Sequence, residues 1–291
     1  MLTRRGGDEH AGPGMIPWRR RAGPGAHPAR PGEAPVILLR SATWQLWPDL
    51  AVGVRFHAGR PATRPDGDRY GFSRLGGGSS LVALATIYGE TPGAAAAVAA
   101  VRRGIRSFAS AAQTPALLLQ RLQTWMGDLG VDQLCAVVLA RCRSTPRGLA
   151  VTLSAAGQPP PLLLREGHDV EIVTAGGPAL GYRPHARFEE ATILLGPDET
   201  LLLYSDLLIE QNRIFRAIDD LVEALRAWRR SGVRDVLGPI DGTLDRRNLR
   251  RATAMVAVRG EAPTADVIDL PRERLRRTRR NPGSVQPFPG A

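Results

Sequence analysis

The stretch LLLYSDLLIE at 201–210 places one acid, Asp206, directly after an apolar run. A run such as LLLY at 201–204 is typical of a buried strand. A carboxylate at the end of such a strand is costly to bury unless another group pairs with it. We therefore expect Asp206 to have a chemical partner.

The residue types that commonly bind metals or act as nucleophiles show no useful spacing. Cys135 and Cys142 are the only cysteines and have no His pair near them, so we expect reduced, inert thiols and no metal site. His57, His168 and His185 do not converge in sequence. We interpret these histidines as surface or satisfied side chains.

Three consecutive glycines at 76–78 are a weak candidate for a phosphate-binding loop. They lack the GxxxxGK[ST] pattern that places a lysine and a hydroxyl on the phosphates. We predict a turn between two strands instead.

Composition favours one folded domain with charged ends. The chain has 291 residues, 43% of them hydrophobic, and a net charge of +11 to which Arg contributes every basic group apart from His. Segments 1–40 and 261–291 are rich in Pro, Gly and Arg and poor in large apolar residues, so we predict disordered tails. The folded domain is predicted at 41–260.

The sequence gives no sign of a membrane segment. No stretch reaches the roughly 18 apolar residues that a membrane helix needs. The N-terminus also lacks the apolar core of a signal peptide. We expect a cytoplasmic protein without membrane contact, while the Arg-rich tails leave open a non-specific attraction to nucleic acid or anionic lipid.

The order of elements predicts an α+β fold. After a leading segment and a first strand at 43–56 comes an apolar strand at 79–89, and then two helices at 93–112 and from 114. Strand-like runs separated by Gly and Pro follow, then a helix from 214, a shorter one at 233–244, and a last strand at 252–259. Consecutive hairpins and grouped helices favour two antiparallel sheets packed together with helices outside.

Several of these blocks resemble a known family over about 50–259. They are AAGQPPPLLLREG at 155–167, GGPALGY at 176–182, LLGPDETLLLYSDLLIE at 194–210 and ATAMVAVR at 252–259. Their order and spacing resemble the PPM-type, metal-dependent Ser/Thr protein phosphatases, in the stage II sporulation E and stress-sigma-regulator branch of bacteria. The resemblance implies an αββα four-layer sandwich with two Mg²⁺ or Mn²⁺ ions at one rim.

In that family a metal-bridging water attacks the phosphoserine or phosphothreonine, so several carboxylates have to converge on the metals. The resemblance places Asp68 at a metal-binding acid. Thr86 stands where the family has the acid that bridges both metals. Thr86 lies in the segment ATIYGE at 85–90. Gly89 in this segment is a glycine that the family also has, and Glu90 beside it is a possible additional oxygen donor.

The remaining blocks also depart from the family pattern. Asp206 is the retained acid of the third block, but Leu207 replaces the glycine after it. Arg250 and Arg251 stand where the family has two Asp. We therefore interpret Asp68 and Asp206 as vestigial metal ligands, expect weak or no Mg²⁺ or Mn²⁺ binding, and hypothesise that Arg250 or Arg251 pairs with Asp206.

Three functions stay open from the sequence. The first is a pseudophosphatase that acts in bacterial partner-switching (sigma-factor) regulation, with a phosphorylated anti-sigma-factor antagonist or a related signalling protein as its partner. The second is an active phosphatase that uses one metal held by Asp68, Asp206 and Glu90. The sequence identifies no catalytic residue for it. The third is a scaffold or nucleic-acid-associated protein that uses its Arg-rich tails.

Overall fold

The computed structural model describes residues 42–47, 50–59, 67–89, 92–167 and 169–259. The predicted tails at 1–40 and 261–291 lie outside the described residues, as do Glu90 and His168. In the described parts of the chain, no helix is both long and apolar enough to cross a membrane.

Two sheets form the centre of the domain. The first sheet has the strand order β10-β6-β5-β4-β3, and β9 adds to β6. Its strands are β3 (Gly67–Arg74), β4 (Ser79–Ile87), β5 (Cys135–Thr145), β6 (Gly148–Ala156), β9 (Gly176–Gly177) and β10 (Ala191–Leu195). All of its pairings are antiparallel except β6 with β9.

The second sheet has the strand order β1-β2-β12-β11-β7-β8, and all of its pairings are antiparallel. Its strands are β1 (Ala42–Trp47), β2 (Leu50–His57), β7 (Leu162–Leu164), β8 (Val170–Ile172), β11 (Thr200–Tyr204) and β12 (Thr253–Arg259). The last strand of the domain, β12, thus lies between its second strand and β11. The ends of the domain meet in the middle of this sheet.

Helices cover the outer face of each sheet. On the first sheet lie α1 (Pro92–Phe108) and α2 (Pro115–Asp128), and the second sheet carries α3 (Asp206–Glu210), α4 (Ile218–Arg230) and α5 (Leu237–Gly242). Three buried apolar clusters separate these four layers: one under α1 and α2, one between the sheets, and one under α3 to α5. The predicted αββα sandwich is confirmed.

Strand β4 shows why the layers form where they do. Its nine residues are all buried, because one side of the strand faces the helices and the other faces the second sheet. Leu81 and Ala83 belong to the cluster under the helices, while Val82 and Leu84 belong to the cluster between the sheets. A strand buried on both faces has to read as a continuous apolar run, as this one does.

Helix boundaries follow from local capping. Thr114 caps α2 by accepting a hydrogen bond from the backbone N–H of Leu117 (3.3 Å), as the Thr-Pro sequence predicts. The helix predicted from 214 begins at Ile218, because the carboxylate of Asp220 accepts from the backbone N–H of Ala217 and closes the helix start there.

Two smaller predictions had different outcomes. The glycines at 76–78 form the predicted turn between β3 and β4, with Gly77 and Gly78 at φ of 66° and 71°. The glycines at 176–177, which are among the Gly and Pro residues expected to separate strand-like runs, pair instead with β6 as a short parallel strand. The short helix α3 was not predicted, because five residues are too few to show helical periodicity.

Candidate functional site

Asp68 lies at the rim where the two sheets meet, near the start of β3. Its side chain is fully buried and points between the sheets. One carboxylate oxygen, Oδ1, accepts from the hydroxyl of Thr86 on β4 (2.7 Å). The other, Oδ2, accepts from the hydroxyl of Ser205 (2.5 Å) and from the backbone N–H of Ala254 on β12 (2.7 Å). Asp68 therefore has three donors from the protein itself, and two of them, Ser205 and Ala254, join the first sheet to the second.

The protonation of Asp68 is governed by its burial. Removal from water raises the pKa of this carboxyl from 3.8 to about 7, against the three hydrogen bonds, which lower it. The nearby Asp206 adds a smaller upward contribution to this pKa. Near neutral pH, the carboxyl is therefore close to the midpoint of its titration.

Thr86 is directly opposite Asp68 in the register of β3 and β4. Its hydroxyl donates to Asp68 and accepts from the side-chain amide of Gln158 (2.9 Å), which also donates to the backbone carbonyl of Ala136 (3.3 Å). Where the resemblance implies a metal-bridging acid, the chain thus has a neutral hydroxyl in a buried hydrogen-bond network.

Asp206 is the first residue of α3, at the end of β11. Its Oδ2 accepts from the phenol of Tyr88, which follows β4 on the other sheet (2.8 Å). Its Oδ1 is buried, and no described residue bonds to it. Burial, followed by this hydrogen bond, raises the pKa of Tyr88 well above its usual range, so the phenol is a permanent donor here. The partner expected for Asp206 is therefore a tyrosine.

The hypothesised pair between Asp206 and an arginine is wrong. The guanidinium of Arg251 instead binds both carboxylate oxygens of Glu210, at 2.7 and 2.6 Å. Arg250 is exposed. The side-chain carbonyl of Gln211 accepts from the backbone N–H groups of both arginines, at 2.8 and 2.9 Å. Glu210 and Gln211, at the end of α3, therefore hold Arg250 and Arg251, and neither arginine pairs with Asp206.

The other residues of the predicted site have separate local roles. Gly89 has a φ of 107°, which favours glycine, and a Cβ there would lie 2.5 Å from the side-chain oxygen of Gln133. Leu207 is fully buried within α3, where the helical backbone needs no glycine. Glu90, the possible third oxygen donor, lies outside the described residues, so its part in the site stays a prediction.

Sequence reasoning missed three of the residues that make this network. Tyr88 and Ser205 directly follow strands β4 and β11, and their position at strand ends was a usable signal. Gln158 follows β6, where a long side-chain amide is well placed to reach the rim. A buried carboxylate needs donors, and these polar residues were the nearest candidates.

The described side chains can be tested against the two divalent ions that the resemblance implies. Such ions require several free carboxylate oxygens. Both oxygens of Asp68 already accept from protein donors, and Asp206 offers one free oxygen. Among the described residues, no group of three or more His, Cys, Asp or Glu side chains is placed to hold a metal ion. This donor set does not fit a two-metal centre.

Comparison with solved structures places the fold among bacterial phosphatase domains. The RsbU and RsbW domains of a Mycobacterium tuberculosis protein match with a TM-score of 0.63 and 18% identity, over 75% of this chain and 63% of that one. The SiaA PP2C domain of Pseudomonas aeruginosa matches with a TM-score of 0.57 and 15% identity, over 72% and 85%. This chain therefore spans less than two thirds of the mycobacterial chain.

A third similar structure contains the PP2C phosphatase domain and a regulatory fragment of SpoIIE from Bacillus subtilis. It matches with a TM-score of 0.57 and 14% identity, over 72% of this chain and 63% of that one. A search of curated protein sequences found no match. The family model of stage II sporulation protein E matches residues 76–264, which is more than half of the chain. The protein therefore belongs to the stage II sporulation protein E (SpoIIE) family of PPM-type phosphatase domains.

Proposed function

We propose that this PPM-type phosphatase-like domain is a pseudophosphatase of bacterial partner-switching regulation. The observation that carries this proposal is that protein donors bind both carboxylate oxygens of Asp68. Its carboxylate oxygens accept from Thr86, Ser205 and the backbone of Ala254, and it is fully buried. A metal ion at Asp68 would have to enter this fully buried position and compete with these donors for the two oxygens.

The other replaced positions support the same conclusion. Thr86 brings no negative charge to the position where the family has its bridging acid. Arg251 is close enough to the rim for its charge to lower the pKa of Tyr88. A positive side chain repels a divalent cation, and the Arg251 guanidinium already binds the carboxylate of Glu210. The described rim thus has too few free acids for two metals.

We propose a signalling protein as the partner, of the kind that includes phosphorylated anti-sigma-factor antagonists. The support is the family and the domains that accompany the phosphatase-like domain in a relative. The mycobacterial relative has an RsbW domain together with its RsbU domain. A domain that keeps the fold but binds no metal is suited to recognising a partner without hydrolysing it.

Calorimetric titration of the full chain with Mn²⁺, run beside a colorimetric phosphoester assay, tests this function. We expect no saturable binding up to millimolar Mn²⁺ and no metal-dependent hydrolysis. The Asp206→Asn variant should behave in the same way, since it removes a carboxylate that holds no ion. Saturable binding together with hydrolysis that Asp206→Asn abolishes would overturn the proposal.

One observation favours a second candidate, an altered phosphatase with a single metal. The Oδ1 atom of Asp206 is buried without a hydrogen-bond partner among the described residues, which is unusual for a carboxylate. An ion at this oxygen would satisfy it. Glu90 is the predicted additional ligand, and loss of Mn²⁺ binding in both Asp206→Asn and Glu90→Gln would support this candidate.

A further inference from the structure

A cavity lies on the opposite side of the first sheet from the rim site. It has a volume of about 170 Å³ and lies between strands β3 and β4 and helix α1. Its walls are mainly apolar and include Leu81, Ile87, Val101 and Ile105. For comparison, an engineered apolar cavity of about 150 Å³ in another protein binds benzene. The space is therefore large enough for a small organic ligand.

The cavity exists because small residues form its floor. Gly71 on β3 pairs directly with Ala83 on β4, and both line the cavity together with Ala85. Helix α1 crosses above this shallow surface. Because protein interiors are normally packed without such voids, three small side chains under one helix leave space that nothing in the described chain fills.

Two arginines line this mainly apolar space. Arg102 is on the face of α1 that points to the sheet, since it follows Val98 by four residues and precedes Ile105 by three. Arg69 reaches the cavity from β3. No acidic residue is among the described residues of the lining. The Arg69 guanidinium donates to the backbone carbonyl of Asp68 (2.7 Å), so the anionic group of a ligand is expected at Arg102.

Arg102 also has an unsatisfied atom. Its Nε is buried, and no described residue accepts its hydrogen bond. An unpaired N–H of a guanidinium group is costly to bury because its charge is only partly hydrated. A planar carboxylate matches a guanidinium group with two parallel hydrogen bonds, one of which uses Nε. The missing partner of Arg102 is thus of the type that a carboxylate supplies.

We propose that this cavity binds a small amphipathic acid, with an aliphatic chain on Gly71, Ala83 and Ala85 and a carboxylate at Arg102. The apolar walls exclude a fully polar anion, and Arg102 disfavours a cation. Asp68 points between the sheets, whereas its neighbour Arg69 points to α1, as alternation along a strand requires. The proposal therefore does not depend on whether the rim site is active.

Titration of the full chain with octanoate, followed by calorimetry and by thermal unfolding, tests the site. We expect saturable binding at one site per chain and a rise in Tm with octanoate concentration. Octan-1-ol, which has the same chain without the charge, should bind at least about tenfold more weakly. Equal binding of the alcohol, or no binding of octanoate, would overturn the proposal.

Two variants locate the binding. Arg102→Met keeps an apolar stem without the guanidinium and should weaken octanoate binding by about tenfold or more, the usual size of a charged hydrogen-bond contribution. Arg103→Met, at the exposed neighbouring position, is the matched control and should leave binding unchanged. An equal loss in both variants would mean attraction to surface charge and would overturn the assignment.

The second variant, Ala83→Leu, fills the cavity from its floor. It should abolish octanoate binding while the far-ultraviolet circular dichroism spectrum of the protein stays native. Ala99→Leu on the exposed side of α1 adds the same side chain outside the cavity and should bind octanoate as the wild type does. If Ala83→Leu retains native structure and full affinity, the ligand is not in this cavity and the proposal fails.

Discussion

The two acids of the rim have opposite surroundings although their side chains are close in space. Asp68 is completely buried and receives three hydrogen bonds from both sheets. Asp206 is half-buried and receives one, from Tyr88, which leaves a second oxygen without a described partner. Asp68 has a donor on each of its oxygens, and Asp206 has a donor on only one among the described residues.

This difference shows that two carboxylates at positions where the resemblance implies metal ligands can have separate roles. Asp68 has a structural role, because it ties β3 to the start of β12 and to the end of β11. Asp206 has no comparable role in the described structure. If it does any chemistry, its free oxygen is the atom that does it. Substitutions at and around the two acids separate these two roles.

Replacement of Asp68 should have the largest effect. Asp68→Ala leaves the N–H of Ala254 and the hydroxyls of Thr86 and Ser205 without their acceptor in the interior, so we expect a loss of about 3 kcal/mol or more in the free energy of unfolding. Asp206→Ala is the matched control and should change stability by no more than about 1 kcal/mol. Urea unfolding measures both, and equal losses would contradict the structural role of Asp68.

The second-largest effect should be on the pH dependence of the free energy of unfolding, which Asp68 makes steeper in the wild type than in Asp68→Asn. Its pKa is 3.8 without burial and about 7 in the folded protein, so the folded state binds a proton that the unfolded state releases between these values. The contribution to stability is therefore full below about pH 4 and is lost as pH rises through about 7. Asp68→Asn has no such proton, and its free energy of unfolding should fall less than that of the wild type.

Unfolding of both proteins in urea at about pH 5 and about pH 8 gives the comparison. Other titrating groups affect the two proteins alike, so only the difference between their pH slopes is used. Parallel slopes would mean that Asp68 does not titrate in this range.

A smaller loss is expected at Thr86. Thr86→Val removes the donor to Asp68 and the acceptor for Gln158 while keeping the shape of the side chain, so we expect a loss of about 1–3 kcal/mol. Thr86→Ser keeps the hydroxyl and should cost less. Chemical unfolding decides the order, and a valine variant as stable as the serine variant would show that the hydroxyl contributes nothing.

The smallest change should follow Tyr88→Phe. It removes one hydrogen bond to Asp206 at a half-buried position, for which we expect about 1 kcal/mol. In a double-mutant cycle with Asp206→Asn, the two changes should cost less together than the sum of their separate costs. Additive losses would show that the contact between these two side chains does not stabilise the protein.

Most of the fold could be predicted from the sequence. The apolar run of β4, the Thr-Pro start of α2 and the turn at 76–78 each have a local cause that a sequence displays. The start of α4 was placed four residues early, since the capping role of Asp220 depends on a backbone bend that periodicity does not reveal.

The candidate site was predictable only as a set of positions. The sequence identified Asp68, Thr86 and Asp206, but the pairing of Arg251 with Glu210 depends on where a five-residue helix points its side chains. The donors of Asp68 come from three separate segments of the chain. Such long-range hydrogen bonds are set by sheet register, which a single sequence does not specify at this precision.

The central position of β12 has a consequence for synthesis on the ribosome. Strand β12 (Thr253–Arg259) separates β2 from β11 and pairs with both, so the second sheet stays divided until the last part of the domain has left the exit tunnel. Until then, the long inner edges of β2 and β11 are both unpaired and open to wrong partners. Because strands far apart in sequence pair slowly, the nascent chain should depend on chaperones until β12 has been synthesised.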